Sequence, residues 1–311
     1  MRVTITGGAG FLGHRLAVVL ADRGDEVTVV DRAAPPTADE RLTYRLGDLD
    51  DATMRETFVR SAPDAVVHLA AVVSADAEAN FDHGMRVNLD ATRALLDDCR
   101  ALPQPPKLVF ASSMAAFGGA LPDVLDDSTT PKPQSSYGTQ KVIGEYLVSD
   151  YSRRGFVDGR TVRLPTVVVR PGRPNLAASS FASSIIREPA NGEAAVCPVD
   201  RSTGIWVTSP HQVVASLVHG LDLAADAWGT DRVVNLPGIT VTVDELLGAL
   251  GELAGLEVAA LVRFEPDAKI RAIVDTWPVR CRTDRARDLG FGVDSDVVSI
   301  VRTHLADTNG P

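Results

Sequence analysis

A short apolar run at residues 3–6 leads into glycines at 7, 8, 10 and 13, and Leu12, Leu16, Val19 and Leu20 then recur at helical spacing across residues 11–23. Gly24 and Asp25 end that helix, and residues 26–30 form a second apolar run that stops at Asp31. A strand, a turn, an amphipathic helix and a second strand are expected in that order. The alternation continues with strands at 42–45, 65–69, 108–111 and 161–164 and helices over about 51–61, 81–100 and 137–151. Short β-rich runs alternating with helices predict an α/β fold on a doubly wound parallel sheet with right-handed crossovers. After Leu164 the rhythm loosens. Prolines at 165, 171, 174, 189 and 198 interrupt a stretch expected to close a pocket, ahead of a helix at 210–224, a strand at 232–236, a helix at 243–254 and a strand at 258–263.

Composition narrows the class. A chain of 311 residues, 45% hydrophobic and 23% charged, buries a large core, and a main lobe with a smaller appended one is expected. No run reaches the roughly 18 to 20 apolar residues of a membrane span, and no leader pattern precedes the first strand, so a cytoplasmic location is expected. Cys99, Cys197 and Cys281 are odd in number and widely spaced, unlike a metal site or a disulfide framework. A net charge of −10 argues against a nucleic-acid partner. It also disfavours anionic substrates at long range, so any anionic substrate needs arginines placed close to it.

The glycine turn carries chemistry because of its context, between a strand and a helix. Gly7 permits the tight turn, Gly10 lets the backbone approach a pyrophosphate, and Gly13 lets helix pack on strand, while the helix N-terminus adds free amides and a positive dipole. Phe11 and Leu12 open that helix and join the expected cofactor contacts. Asp31 closes the second strand, where a carboxylate accepts hydrogen bonds from the adenosine ribose and repels a 2′-phosphate. NAD is therefore the expected cofactor, with Arg32 as the residue that leaves NADP open.

Tyr137 and Lys141 stand four apart in Tyr-Gly-Thr-Gln-Lys, on one face of a helix. A phenol near pKa 10 is a poor base at neutral pH, but a nearby ammonium and a positive nicotinamide favour its ionised form. Tyr137 can then take a hydroxyl proton as hydride leaves the carbon. Upstream, the strand 108–111 runs into Ser112 and Ser113 at the edge where open α/β sheets bind ligands. Ser113 is expected to hydrogen-bond the reacting oxygen, and Ser112 to face the cofactor. No ligand cluster for a metal is seen.

With these residues together, the chain resembles the extended short-chain dehydrogenase/reductase family, also called the NAD-dependent epimerase/dehydratase family. The resemblance spans nearly the whole chain and includes Gly47-Asp48-Leu49, His68-Leu69-Ala70-Ala71, Asn88 in Val-Asn-Leu-Asp, and residues 283–291. It implies a Rossmann domain over 1–165 and a mostly substrate-binding lobe over 166–311, with residues of about 206–236 returning to the first. It places Asp48 and Leu49 at the adenine, and Leu69, Ala70 and Ala71 along the cofactor channel. Lys141 would bind the nicotinamide ribose and Asn88 would support the helix behind the site. Ser74 and Pro165 join the cofactor contacts, and His68 is expected to be a buried strand residue with a satisfied ring nitrogen. The helices 81–100 and 137–151 resemble those that pair in a family homodimer.

Two departures bear on the substrate. Thr166 stands where nucleotide-sugar members carry Asn, and Phe117 where they often carry Tyr. Residues 170–181, 197–199 and 204–207 are instead similar to a branch that oxidises four-carbon sugar acids at C2. D-Erythronate or a close aldonate is thus the expected substrate, its carboxylate held by Arg173 with Asn175 and Ser179, and its reacting end by Ser74, Ser113 and Tyr137. A nucleotide-sugar 4-epimerase using the same apparatus, and a non-catalytic NAD(P)-sensing protein, stay open as alternatives.

Overall fold

The computed structural model describes residues 1–35, 37–49, 51–172 and 179–309. Its strands are β1 (Arg2–Thr6), β2 (Glu26–Asp31), β3 (Thr43–Leu46), β4 (Ala65–His68), β5 (Lys107–Ser113) and β6 (Asp158–Leu164). They are followed by β7 (Thr166–Val167), β8 (Ala195–Cys197), β9 (Gly204–Thr208), β10 (Val233–Asn235), β11 (Ile239–Thr242) and β12 (Val262–Phe264). Seven of them form one sheet in the order β10-β6-β5-β4-β1-β2-β3, and its registered pairs run parallel. The doubly wound α/β expectation therefore holds.

The order reverses between β1 and β4. From β1 the chain moves outward through β2 to β3, then returns to β4 on the other flank and moves outward through β5 and β6. Loops leaving the ends of β1 and β4 diverge at that point, which opens the crevice in which such sheets bind ligands. Register aligns the relevant ends: Thr6 pairs with both Val30 and His68.

By contact the chain divides into two units, 1–116 with 133–163 and 214–235, and 117–132 with 164–213 and 236–311. The second thus includes 117–132 and 206–213, which the sequence reading assigns to the first. In the first unit Phe58, Val66, Leu95, Leu96, Leu108, Phe110 and Val148 form one buried cluster, joining the helices Ala52–Ser61, Ala91–Arg100 and Ser136–Arg153 to the sheet. Burying side chains of this size, at about 1.5–3 kcal/mol each, fixes the helix that carries Tyr137 and Lys141. The second unit has its own core, which includes Ile185, Ile186, Val207, Leu246 and Leu250, a three-stranded sheet β11-β9-β7 and a pair β12-β8.

Three sequence expectations change. Residues 81–100 are not one α-helix: Phe81–Gly84 passes through a π turn at Met85–Asp90 before Ala91–Arg100. The stretch 258–263 begins as the short helix Leu256–Ala259, whose Val258 and Ala259 amides donate to the Gly255 carbonyl, and becomes a strand only at Val262. Within the proline-rich stretch, Ser180–Ala190 is helical because Phe181, Ala182, Ile185 and Ile186 fall on one buried face, and Pro189 enters only in its last turn.

Candidate active site

Gly7 adopts φ +69°, a conformation that side chains disfavour, and a Cβ there would stand 2.6 Å from the Ala70 amide nitrogen. Its amide donates to the Val30 carbonyl at 2.9 Å, while Leu69 N donates to Thr6 O at 3.0 Å. The turn is thus drawn against both neighbouring strand ends, and Leu69 and Ala70 lie beside it. Gly10 N donates to Gly7 O at 3.2 Å, and His14 N to Gly10 O at 2.8 Å, which starts the helix Phe11–Asp22. A Cβ on Gly13 would fall onto the Gly7 carbonyl, so this glycine is the one that lets helix and turn touch. No side chain caps this helix and its first turn has no acidic residue. A Cβ on Gly10 would meet only Gly7 O, at 3.2 Å. Open amides, a positive helix end and clear space above Gly10 fit a pyrophosphate. Phe11 and Leu12 are half-buried here, and the Arg15 guanidinium lies 5.0 Å from the Phe11 ring centre.

Asp31 faces this turn. Its Oδ2 accepts from Ala9 N at 3.0 Å and its Oδ1 from Arg32 N at 2.7 Å. Oδ1 also takes a longer contact from Ala33 N at 3.5 Å, so of the about four lone-pair sites of a carboxylate one or two remain, enough for a ribose hydroxyl. The Asp31 carbonyl accepts from Gly47 N at 2.9 Å, bringing Asp48 and Leu49 to the same sheet edge.

At the end of β5, Ser113 Oγ accepts from Ala115 N at 3.1 Å as the chain enters the turn Met114–Ala116. The helix Ser136–Arg153 begins against that turn. A Cβ on Gly138 would fall onto the Ala115 carbonyl, so glycine is what allows the first helical turn to approach the Met114–Ala116 turn so closely. Ser135 Oγ caps the helix by accepting from Gly138 N at 3.1 Å, and Glu78 accepts from Ser136 N at 2.9 Å.

One turn on, Lys141 is buried. Its Nζ donates to the Ala111 carbonyl at 2.8 Å and lies 4.8 Å from the Phe110 ring centre and 5.7 Å from that of Tyr137. Burial pushes its ammonium down to about 8, opposed by the charge of Glu145. The arrangement puts a readily titrating cation beside a half-buried phenol and the strand end that carries Ser113.

Behind these groups Asn88, in the π turn, ties the channel to the helix. Its Oδ1 accepts from Val72 N at 2.7 Å, and its Nδ2 donates to Val72 O at 3.0 Å and to Gln140 Oε1 at 2.7 Å. The amide thereby joins the segment just after Ala71 to the helix that carries Gln140. His68 is buried with both ring nitrogens bonded, to Thr6 Oγ1 at 2.6 Å and Thr92 Oγ1 at 2.9 Å. Ser112 corrects the sequence reading: it turns inward and donates to Glu145 Oε1 at 2.5 Å instead of facing the cofactor.

Ser74 opens the short helix Ser74–Ala79 and is half-buried. In the second unit, Pro165 is buried just after β6, and Ser179 Oγ accepts from Arg170 Nη2 at 3.0 Å. Arg173 and Asn175 lie outside the described residues. Sequence reasoning missed Gly138, Gln140, Glu145 and Arg163 as parts of this neighbourhood. Glu145 had a signal, since it continues the four-residue spacing of Tyr137 and Lys141; Arg163 had none, because only the fold brings β6 to that helix. Among the described residues no group of three or more His, Cys, Asp or Glu is placed to hold a metal, and no helix is long and apolar enough to cross a membrane.

Known proteins are similar to this chain over nearly its whole length. A D-erythronate dehydrogenase of Cupriavidus necator is 51% identical, the match covering 99% of this chain and 98% of that one. Another of the same name, from Haemophilus influenzae, is 44% identical over 98% and 99% of the two chains. A solved structure named as a nucleoside-diphosphate-sugar epimerase, from Agrobacterium tumefaciens, superposes with a TM-score of 0.93 at 40% identity, covering 99% of this chain and 94% of that one. A family profile described as NAD dependent epimerase/dehydratase matches residues 3–224, which takes in the glycine turn, Asp31, Ser113, Tyr137 and Lys141. The profile spans more than half of the chain, and the chain belongs to the NAD-dependent epimerase/dehydratase family.

Proposed function

We propose that this protein is an NAD-dependent dehydrogenase that oxidises the C2 hydroxyl of D-erythronate to 2-oxo-D-erythronate. The observation that carries the reading is Lys141, buried beside the Tyr137 ring and anchored to the strand that ends in Ser113. End-to-end similarity to two D-erythronate dehydrogenases supports the choice of substrate. NAD, when bound, supplies the hydride acceptor. Ser113 orients the C2 oxygen, Tyr137 removes its proton, and the Lys141 ammonium stabilises the phenolate that does so. The alcohol thus loses a hydride from carbon and a proton from oxygen, which leaves the 2-oxo acid. Gly7, Gly10 and Gly13 with Phe11 and Leu12 hold the pyrophosphate, Asp31 the ribose, and Asp48 and Leu49 the adenine. Leu69, Ala70, Ala71 and Ser74 line the channel, with Asn88 and Pro165 supporting it. Arg173, Asn175 and Ser179 hold the substrate carboxylate.

A homodimer is part of the reading. Phe81, Ile143 and Tyr146 leave large apolar side chains exposed on the helices expected to pair. Sedimentation should give twice the chain mass, and Tyr146→Glu should shift it to the monomer. Three free cysteines are in keeping with a cytoplasmic enzyme.

The function is tested by NADH formation from NAD with D-erythronate and other four-carbon aldonates, with UDP-sugars alongside and Tyr137→Phe as control. D-Erythronate-dependent NADH that disappears in the variant is expected. Silence on every aldonate together with UDP-sugar interconversion would replace the dehydrogenase by an epimerase.

A further inference from the structure

Tyr137, Lys141 and Glu145 recur every four residues on one face of the helix Ser136–Arg153. The first two serve the proposed chemistry, and the third has no part in it so far. Glu145 is buried and both its oxygens are engaged. Oε1 accepts from Ser112 Oγ at 2.5 Å and from Arg163 Nε at 2.8 Å, and Oε2 accepts from Arg163 Nη2 at 2.6 Å. Arg163 Nη1 continues to Asn235 Oδ1 at 3.2 Å. One turn earlier Lys141 donates to the Ala111 carbonyl. The helix therefore grips two successive residues of β5, Ala111 and Ser112, directly ahead of Ser113.

We infer that Glu145 is a positioning residue for the reaction, fixing the end of β5 through Ser112 and holding Lys141 in its ammonium form beside Tyr137. The inference rests on the reading of Tyr137 as the base. Packing alone does not call for such a network, because a buried ion pair is often no more stabilising than an apolar pair of the same shape. The charges around Lys141 point the same way. On its own helix are Tyr137 and Glu145. From β4 comes His68, kept neutral by burial. From β6 comes Arg163, paired to Glu145. Residues 110–113 of β5 have no ionisable side chain. Glu78 and Asp97 reach the same helix only at its two ends, at Ser136 N and Tyr151 Oη. Among the described residues Glu145 is the anion whose charge bears on the buried ammonium.

Glu145→Gln keeps the shape and an acceptor for Ser112 but removes the charge. Arg163 then loses its counter-ion, the Lys141 ammonium is less favoured, and the Tyr137 phenolate loses its cation. Ser112→Ala does the reverse, deleting the hydroxyl bond while leaving the charge in place.

The test is a pH titration of phenolate absorbance in the NAD-loaded protein, each form measured against the same form with Tyr137→Phe, which isolates Tyr137 from Tyr44, Tyr146 and Tyr151. The titration needs no substrate, so E145Q reads out even if D-erythronate is not oxidised, and the two readings fail separately; the S112A turnover is measured on whichever substrate the parent oxidises. The Tyr137 midpoint should rise by about one pH unit in E145Q, a tenfold change in ionisation. In S112A it should stay in place while kcat falls about tenfold. An unmoved midpoint in E145Q overturns the electrostatic role, and an unchanged kcat in S112A overturns the role through the strand. If E145Q does not fold, R163Q leaves Glu145 unopposed, and the midpoint should then fall; a midpoint that stays put or rises there also overturns the inference.

Discussion

The Lys141 ammonium lies 5.7 Å from the centre of the Tyr137 ring. It is buried, and burial pushes it from 10.5 down to about 8, with Glu145 opposing. Between those two values the unfolded chain holds the proton and the folded chain does not. Stability from this group therefore rises as pH climbs from about 8 towards 10.5, and below 8 the full cost of burying the ammonium is present. Lys141→Met removes that cost. The variant should resist denaturant at least as well as the parent at pH 7, with the gap narrowing by pH 10, while turnover falls at least about a hundredfold. A variant markedly less stable at pH 7 would mean that the bond to Ala111 outweighs desolvation.

His68 shows the same physics without a catalytic duty. Thr92 Oγ1 donates to Asn88 O at 2.8 Å, so His68 Nε2 carries the proton towards Thr92 and Nδ1 accepts from the Thr6 hydroxyl. Burial holds the imidazole neutral down to about 3. An unfolded histidine charges below about 6.5, so stability should fall as pH drops through the window from 6.5 to 3, with a slope of up to about 1.4 kcal/mol per pH unit. His68→Gln should lose that component of the slope. Urea unfolding of both proteins at pH 7 and pH 5 measures it, and equal slopes would argue against a neutral buried ring.

Much of this fold was legible because period and punctuation agree. Gly24 and Asp25 end the first helix where its apolar stripe ends, and the strand ending on Asp31 follows at once. Tyr137 and Lys141 were legible by spacing. Three things were not. The π turn around Asn88 leaves the apolar spacing nearly unchanged, so residues 81–100 read as one helix. Pro189 suggested irregular chain across a helix whose buried face is clear only when Phe181, Ile185 and Ile186 are seen to share a core. Ser112 and Ser113 are adjacent on a strand and so face opposite ways; which one faces inward was decided by Glu145 and Arg163, one of which comes from another strand.

Gly138 is expected to be indispensable to activity. A Cβ there falls onto the Ala115 carbonyl, a backbone atom that cannot rotate away. Gly138→Ala should push the first turn of the helix from the Ser113 turn at a cost of about 1–3 kcal/mol in stability. Displacing Tyr137 by about 1 Å should reduce kcat by about a hundredfold. NAD affinity, measured calorimetrically, should change far less, because the glycine turn at Gly7 is untouched. Equal losses in both would show general disruption of the unit.

Asn88 satisfies three buried partners at once, Val72 N, Val72 O and Gln140 Oε1. Asn88→Ala leaves all three without it, at about 1–3 kcal/mol for each group not rescued by water. A loss of about 2–4 kcal/mol in unfolding free energy is therefore expected. Asn88→Asp should be worse than a simple loss of one donor, since its second oxygen would face both the Val72 carbonyl and Gln140 Oε1. If Asp is tolerated better than Ala, the amide is not acting as a donor there.

Asp31 has two duties that one substitution separates by cofactor. Its Oδ2 holds Ala9 N in the glycine turn, and its remaining lone pairs are proposed to hold the ribose hydroxyls. Loss of the turn contact should weaken NAD and NADP alike. Loss of the ribose contact should weaken only NAD, and removing the negative charge beside the exposed Arg32 should favour a 2′-phosphate. Asp31→Ala is therefore expected to weaken NAD about ten- to a hundredfold, as for one or two charge-assisted hydrogen bonds, while NADP weakens less or gains. Calorimetric titration with each dinucleotide gives the ratio. A parallel loss for both would confine Asp31 to shaping the turn and leave cofactor choice to other residues.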